Sequence, residues 1–329
     1  MTRTAPVASA VDFVEYGDYT AKMPPRADGE FVRPMYPFQG RITADGSSGF
    51  PAQAGRYHLY VSLACPWAHR SVIVRALLGL EDVVSLSVVD PVRDGRGWAF
   101  RDGPGHGPDP VNGFTLIREA YEATEPGYDG HFSVPVLWDR ETAQIVSNNF
   151  PDITIDLGTQ FGAWSAPGVD LYPLPLRAEI DALNDRVYTS VNNGVYRCGF
   201  AGTQEAYDAA VAALFTTLDE LEERLAGSRY LFGDQVTEAD VRLWVTLARF
   251  DPVYVTHFKT NLRRLVDYPN LWPYARDLYQ RPAFGETTSF DHIKRHYFMT
   301  HSHLNPSRIV PEGPLLDWHR PHNRAALSG

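Results

Sequence analysis

The stretch Arg56–Leu80, RYHLYVSLACPWAHRSVIVRALLGL, limits what this chain can fold into more than any other. Tyr57–Ser62 is rich in β-branched and aromatic residues and reads as a buried strand. Cys65 stands directly before Pro66, and proline suits the first position of a helix, where an N–H has no intrahelical partner. Downstream, Val72, Val74, Ala76 and Leu77 give that helix an apolar surface to lay on a sheet. Strand, tight turn and helix therefore meet at one cysteine. At a helix N-terminus the unpaired N–H groups and the macrodipole stabilise a thiolate, so Cys65 is expected to titrate below a free thiol and to act as a nucleophile. A buried structural cysteine is the plainer alternative, but it does not explain why cysteine, proline and strand end coincide. A dithiol site would read C-x-x-C, and here the fourth residue is Ala68. Oxidised Cys65 must then be a mixed disulfide with an external thiol.

The length of 329 residues suggests about two domains. A formal net charge of −10 argues against nucleic acid or an anionic membrane as partner. Cys65 and Cys198 are the only two cysteines, which excludes a disulfide framework and fits a reducing compartment. Asp12 and Glu15 sit where a signal peptide needs an apolar core, and no apolar run approaches the ~20 residues that cross a bilayer. The expectation is a soluble, cytoplasmic protein.

Residues 1–55 read as an extended lead-in broken by Pro24, Pro25, Pro34, Pro37, Gly46 and Gly49, with Phe13, Tyr16, Phe31, Tyr36 and Phe38 available to pin it down. Disorder throughout is the alternative. Residues 83–89 form a second, near-continuously apolar strand, as in parallel pairing within a covered sheet. A Gly/Pro-rich insertion follows over 90–113, and its Trp98 is either a tether to the core or part of a pocket. Thr115–Ala123 has helical composition. Ser133–Trp138 is a strand whose Pro135 cannot donate to a ladder, so it lies at an edge or follows a cis bond. Ile145–Val146 returns, and Asn149–Leu157 makes a short helix. The order β-α-β-α-β-β-α is the thioredoxin arrangement, in which an X-cis-Pro turn faces the reactive cysteine. From Leu176 the chain turns to long helical patterns, over Arg177–Tyr196, Glu205–Ala226, a helix opened by Thr237 and Asp240, Tyr268–Gln280 and Gly285–Phe298. The expected fold is an α/β thioredoxin-like domain over 56–166, an all-α domain over 176–300 and a tail over 301–329.

That succession is the glutathione-transferase architecture, and the motifs narrow it further. Cys65-Pro-Trp-Ala-His-Arg70, Val134-Pro-Val-Leu-Trp-Asp139, Asn192-Asn-Gly-Val-Tyr196, Thr237-Glu-Ala-Asp-Val-Arg242, Arg249-Phe-Asp251 and His292-Ile-Lys-Arg-His-Tyr297 run along most of the chain, with Asn305-Pro306 and Ile309-Val-Pro311 in the tail. By these residues the sequence resembles the glutathionyl-hydroquinone reductases, the xi class of the transferases. The resemblance implies that Cys65 attacks the sulfur of a thiol–hydroquinone conjugate and that a second low-molecular-weight thiol, rather than a bound cofactor, clears the mixed disulfide. It places Tyr196 and Tyr297 on the quinol side as proton donors. It places Trp98 and Val134, before Pro135, on the thiol side, and it implies a homodimer. Without the resemblance, Tyr196, ending an amphipathic helix, reads more readily as core than as catalyst, and Tyr297 reads as either.

One departure concerns the thiol. After the return strand the family carries Glu-Ser, which holds the charged γ-glutamyl end of glutathione, and this chain carries Asn149 and Phe150. Either the cosubstrate is glutathione, bound poorly, or it is a thiol without that group, such as mycothiol, a cysteinyl pseudodisaccharide. Mycothiol is expected to be the better substrate, with Asn149 meeting hydroxyls and Phe150 stacking on the sugar. A smaller departure is Phe298, where a second tyrosine is common. The rival readings are an omega-like thioltransferase, which needs Cys65 but neither tyrosine, and a binding protein that keeps the fold without turnover. His292, His296, His301 and His303 are numerous, but no cysteine lies near them, and no metal site is expected.

Overall fold

Strand β1, Tyr57–Val61, is paired on both sides with partners of opposite sense. It runs parallel to β2, Ser85–Val88, and antiparallel to β3, Val136–Asp139, which is antiparallel to β4, Gln144–Ser147. The sheet order is β2-β1-β3-β4. Helix α1, Pro66–Leu77, follows β1; α2, Arg118–Thr124, precedes β3; and α3, Phe150–Gln160, follows β4. This is the thioredoxin-like βαβαββα order, with α1 and α3 packed on each other and α2 on β4. In this computed structural model the described residues are 5–20 and 28–328, so Pro24 and Pro25 of the expected lead-in lie outside them.

The chain divides into two compact units. One comprises Pro34–Val169, Ser289–Val310 and the described part of Met1–Lys22; the other comprises Asp170–Thr288 and the described parts of Met23–Arg33 and Pro311–Gly329. The helix Phe290–Thr300 thus groups with the sheet, whereas the sequence placed it in the helical domain over 176–300. Its histidines explain the difference. His292 Nε2 donates to the Pro104 carbonyl and His296 Nδ1 to the Pro91 carbonyl, both at 2.7 Å, tying the helix to the insertion after β2.

Pro135 does not put β3 at an edge. The strand begins one residue later, in the sheet interior, and the Val134–Pro135 bond is cis. The outer side of β4 is partly met by the lead-in, with Gly40 N donating to Val146 O at 2.9 Å and Asn148 N to Phe38 O at 3.0 Å. The lead-in is pinned by the aromatic residues the sequence singles out. Phe13 lies under Arg308, Tyr16 under Arg96, Tyr36 against Phe150, and Phe38 against Tyr121 and Tyr128.

In the helical unit, α4, Arg177–Val187, does not run on unbroken to Tyr196. A π-helical turn, Tyr188–Asn192, intervenes before α5, Gly194–Gly199; such turns recur at functional positions. Next come α6, Gln204–Arg224, and α7, Glu238–Arg249, and a second π-turn, Phe250–Tyr254, follows α7. Among the described residues no helix is long and apolar enough to cross a membrane. The tail lies on its own unit through Trp318, whose ring meets those of Trp244, Trp272 and Tyr279.

The start of α7 is fixed by Asp240, which is fully buried. Its carboxylate accepts from Thr237 N at 2.8 Å, Thr237 Oγ1 at 2.9 Å, Leu231 N at 3.0 Å and the Tyr274 hydroxyl at 2.8 Å. Asp240→Ala leaves those buried donors without an acceptor and should cost roughly 2–5 kcal/mol of stability, with Asp240→Asn losing less because one acceptor oxygen stays. Urea denaturation checks this: the midpoint falls at unchanged slope, and a native midpoint for Asp240→Ala would contradict it.

Candidate active site

The end of β1 and the start of β3 lie at the same end of the sheet, because Tyr60 is paired antiparallel with Val136. That register sets the segment leaving β1 beside the segment entering β3. Past β1 the chain turns tightly, with Ala64 N donating to Ser62 Oγ at 3.3 Å and Cys65 N to Ser62 O at 3.1 Å. Cys65 is the N-cap of α1, with extended backbone, and Pro66 takes the first helical turn. Its thiol donates to the Val134 carbonyl at 3.4 Å. Cys65 and the Val134 that precedes cis-Pro135 therefore converge as the sequence expects, and Cys65 is 8% exposed.

Cys198 is different in kind. It is 2% exposed on α5, and burial pushes its thiol up to about 12, so it stays protonated at neutral pH.

Trp98 sits in an insertion that is ordered without regular structure. Ile117 N donates to Trp98 O at 3.0 Å and Asp90 N to Ala99 O at 2.9 Å, which fixes the backbone on both sides of the ring. The indole stacks on His296 with centroids 5.0 Å apart and planes 18° apart. On Trp98 also lies the Arg93 guanidinium, at 4.5 Å, which reaches the Tyr19 ring at 3.7 Å. Trp98 is 4% exposed. Its column ends beside Tyr297, the residue after His296, whose ring meets His301 edge-on at 5.5 Å.

Tyr196 belongs to the helical unit. Phe31 stacks on its ring, Tyr254 and Phe258 flank it, and Arg33 lies over it. Gly199 is required here, since a Cβ would fall 2.1 Å from the Phe258 ring. The lead-in contacts of Phe31 and Arg33 have no periodicity from which sequence reasoning could find them.

The surroundings of Asn149 and Phe150 differ from the sequence expectation. Asn149 is the N-cap of α3, but its Nδ2 donates to Asp152 Oδ2 at 2.8 Å, and Asp152 also pairs with Arg41 at 3.4 Å. Phe150 is 2% exposed, tilted against Trp67 at 4.6 Å and edge-on to Tyr36, with the Arg70 guanidinium over both Trp67 and Phe150. It is a core residue joining α1 to α3 and offers no face for a sugar to stack on. Among the described residues no group of three or more His, Cys, Asp or Glu side chains could hold a metal ion.

Residues 204–277 match the family model described as glutathione S-transferase, C-terminal domain. The glutathionyl-hydroquinone reductase YqjG of Escherichia coli is 49% identical over 308 residues, 92% of this chain and 94% of that protein. The crystal structure of the glutathione-S-transferase Xi from Phanerochaete chrysosporium superposes with a TM-score of 0.87 at 50% identity, covering 91% of this chain and 96% of that one. The glutathione-bound structure of YqjG superposes at 0.85 and 49% identity, covering 88% and 96%.

The two cysteines differ enough to be told apart by alkylation. Iodoacetamide at neutral pH should label Cys65 and spare Cys198, and Cys65→Ser should abolish labelling of the native protein. Peptide mass spectrometry reads the outcome, and comparable modification of Cys198 would contradict the assignment.

Proposed function

The chain belongs to the glutathionyl-hydroquinone reductases, the xi class of the glutathione transferases, and from that membership we propose how its own residues carry the reaction. It is a thiol-dependent reductase of thiol–hydroquinone conjugates. The Cys65 thiolate attacks the thioether sulfur of the conjugate. An S–S bond forms as the carbon–sulfur bond breaks, and the electron pair leaves with the aromatic carbon, which takes a proton to give the hydroquinone. A second thiol, as thiolate, attacks the mixed disulfide and releases a symmetrical disulfide and the Cys65 thiolate. One conjugate and one thiol thus become one hydroquinone and one disulfide. The observation carrying this is a single cysteine at the N-terminus of α1, beside Val134, with Ala68 where a resolving cysteine would stand.

In this reading Val134 presents its backbone to the cysteinyl part of the thiol ahead of Pro135, and Trp98 completes that side. Tyr196 and Tyr297 protonate the carbon leaving group. A carbon leaving group needs that proton, whereas a thiolate does not. A cysteine content of two in 329 residues supports a reducing, cytoplasmic setting. The family resemblance supports a homodimer.

The proposed thiol is one without a γ-glutamyl group. Asn149 is neutral where the family has Glu, and the carboxylate beside it, Asp152, is already engaged by Arg41 and Asn149. A γ-glutamyl ammonium there would lose a charged hydrogen bond worth ~1.5–3 kcal/mol, about one to two decades of affinity. Mycothiol brings hydroxyls instead.

Tyr196→Phe and Tyr297→Phe should each slow reduction of a quinol conjugate by roughly 10²–10⁴ while leaving a simple mixed disulfide almost unaffected. Equal losses on both substrates would favour packing roles. In a thiol panel mycothiol should exceed glutathione in kcat/KM, and Asn149→Glu alone should narrow the gap; Phe150→Ser is unsuitable because it empties a packed position. Ordinary efficiency with glutathione in the native protein would overturn the preference.

A further inference from the structure

The ring of Tyr196 carries a fixed cation. The Arg33 guanidinium lies 4.6 Å from the Tyr196 ring centroid and 5.4 Å from that of Phe31. Phe31 is stacked on Tyr196 at 6.1 Å with planes 22° apart. The rings of Phe200, Tyr254 and Phe258 also lie against Tyr196. Arg197, next in sequence, points its charge to Glu30 at 3.5 Å.

Arg33 is held by the turn that carries Tyr196. Its Nε donates to Asn193 Oδ1 at 3.1 Å, and Asn193 is the N-cap of α5, three residues before the tyrosine. Asn192 anchors the same turn to α7, its Nδ2 donating to the Arg242 carbonyl at 2.9 Å and to Thr246 Oγ1 at 2.7 Å. The two asparagines of Asn-Asn-Gly-Val-Tyr therefore divide the work: one fixes the turn, the other fixes the cation.

A phenol that gives up its proton is left with a negative charge, which apolar surroundings disfavour and a nearby guanidinium favours. We propose that Arg33 is a positioning residue for Tyr196, orienting the phenol and stabilising the charge it acquires as its proton passes to the aromatic carbon. Water returns the proton afterwards, so the step leaves Arg33 unchanged. The inference rests on the reading of Tyr196 as the acid.

A double-mutant cycle tests it, with an S-glutathionyl-hydroquinone as probe and a glutathione mixed disulfide as control. Arg33→Ala should lower kcat on the conjugate roughly five- to thirtyfold with little change in KM. In a Tyr196→Phe background the same substitution should have almost no effect. Arg33→Lys, which keeps charge without the planar fork, should recover part of the loss. Asn193→Ala should fall between. Equal losses in both backgrounds, or a matching loss on the mixed disulfide, would overturn the inference as mere support of the fold. A slow Tyr196→Phe beside a normal Arg33→Ala would overturn it alone, whereas full activity of Tyr196→Phe would sink the acid reading and this inference with it.

Discussion

The antiparallel pairing of β1 with β3 is the constraint on which the site depends. With Tyr60 opposite Val136, the residues after β1 and those before β3 meet at one end of the sheet. A slip of one residue would turn every side chain of these strands to the other face and part Cys65 from Val134. The strands can hold that register because β1 and β3 are buried along their whole length, so the pairing is set by core packing. The juxtaposition of Cys65 and Val134 is inherited from the sheet and then trimmed by a tight turn and a proline.

Away from the sheet, buried carboxylates do what regular hydrogen bonding cannot. Asp109 accepts from the amides of Val111, Asn112 and Phe114 and from the Tyr60 hydroxyl. Asp94 accepts from the amides of Asp12 and Arg96 and from Arg101. An insertion with almost no ladder bonds is thereby given a definite backbone, and Trp98 a definite place. Asp240 serves the helical unit in the same manner.

Much of this was readable in the chain itself. A cysteine before a proline at a strand end announced the N-cap, and Thr237 with Asp240 announced the start of α7, because both are local signals. The aromatic residues of the lead-in were legible as anchors, though not their partners. What escaped was non-local. The pattern Ile180, Val187, Val191 is helical throughout and gives no sign of the π-turn that shifts the phase before Tyr196. The allegiance of the helix Phe290–Thr300 depends on two histidine bonds to carbonyls some 200 residues earlier, at separations of 188 and 205. Phe150 looked like a ligand contact because its place after the return strand is that of a binding motif, and only packing shows it turned inward.

The inward turn of Phe150 bears on how such a protein changes over generations. Trp67 and Arg70 of α1 both lie against this ring, so the position answers to the core. Replacing it with the family's serine would open a void of most of a benzyl group beside Trp67, at roughly 3–5 kcal/mol by analogy with buried Phe→Ala changes. Asn149, half-buried at the same helix end, is held instead by hydrogen bonds, its N donating to Ser147 Oγ and its Nδ2 to Asp152. The two positions therefore differ in what a substitution must replace: at 149 a hydrogen bond to Asp152, at 150 the packing of a buried ring. Exchanging phenylalanine for serine here therefore calls for compensating changes on α1, at Trp67 or Arg70.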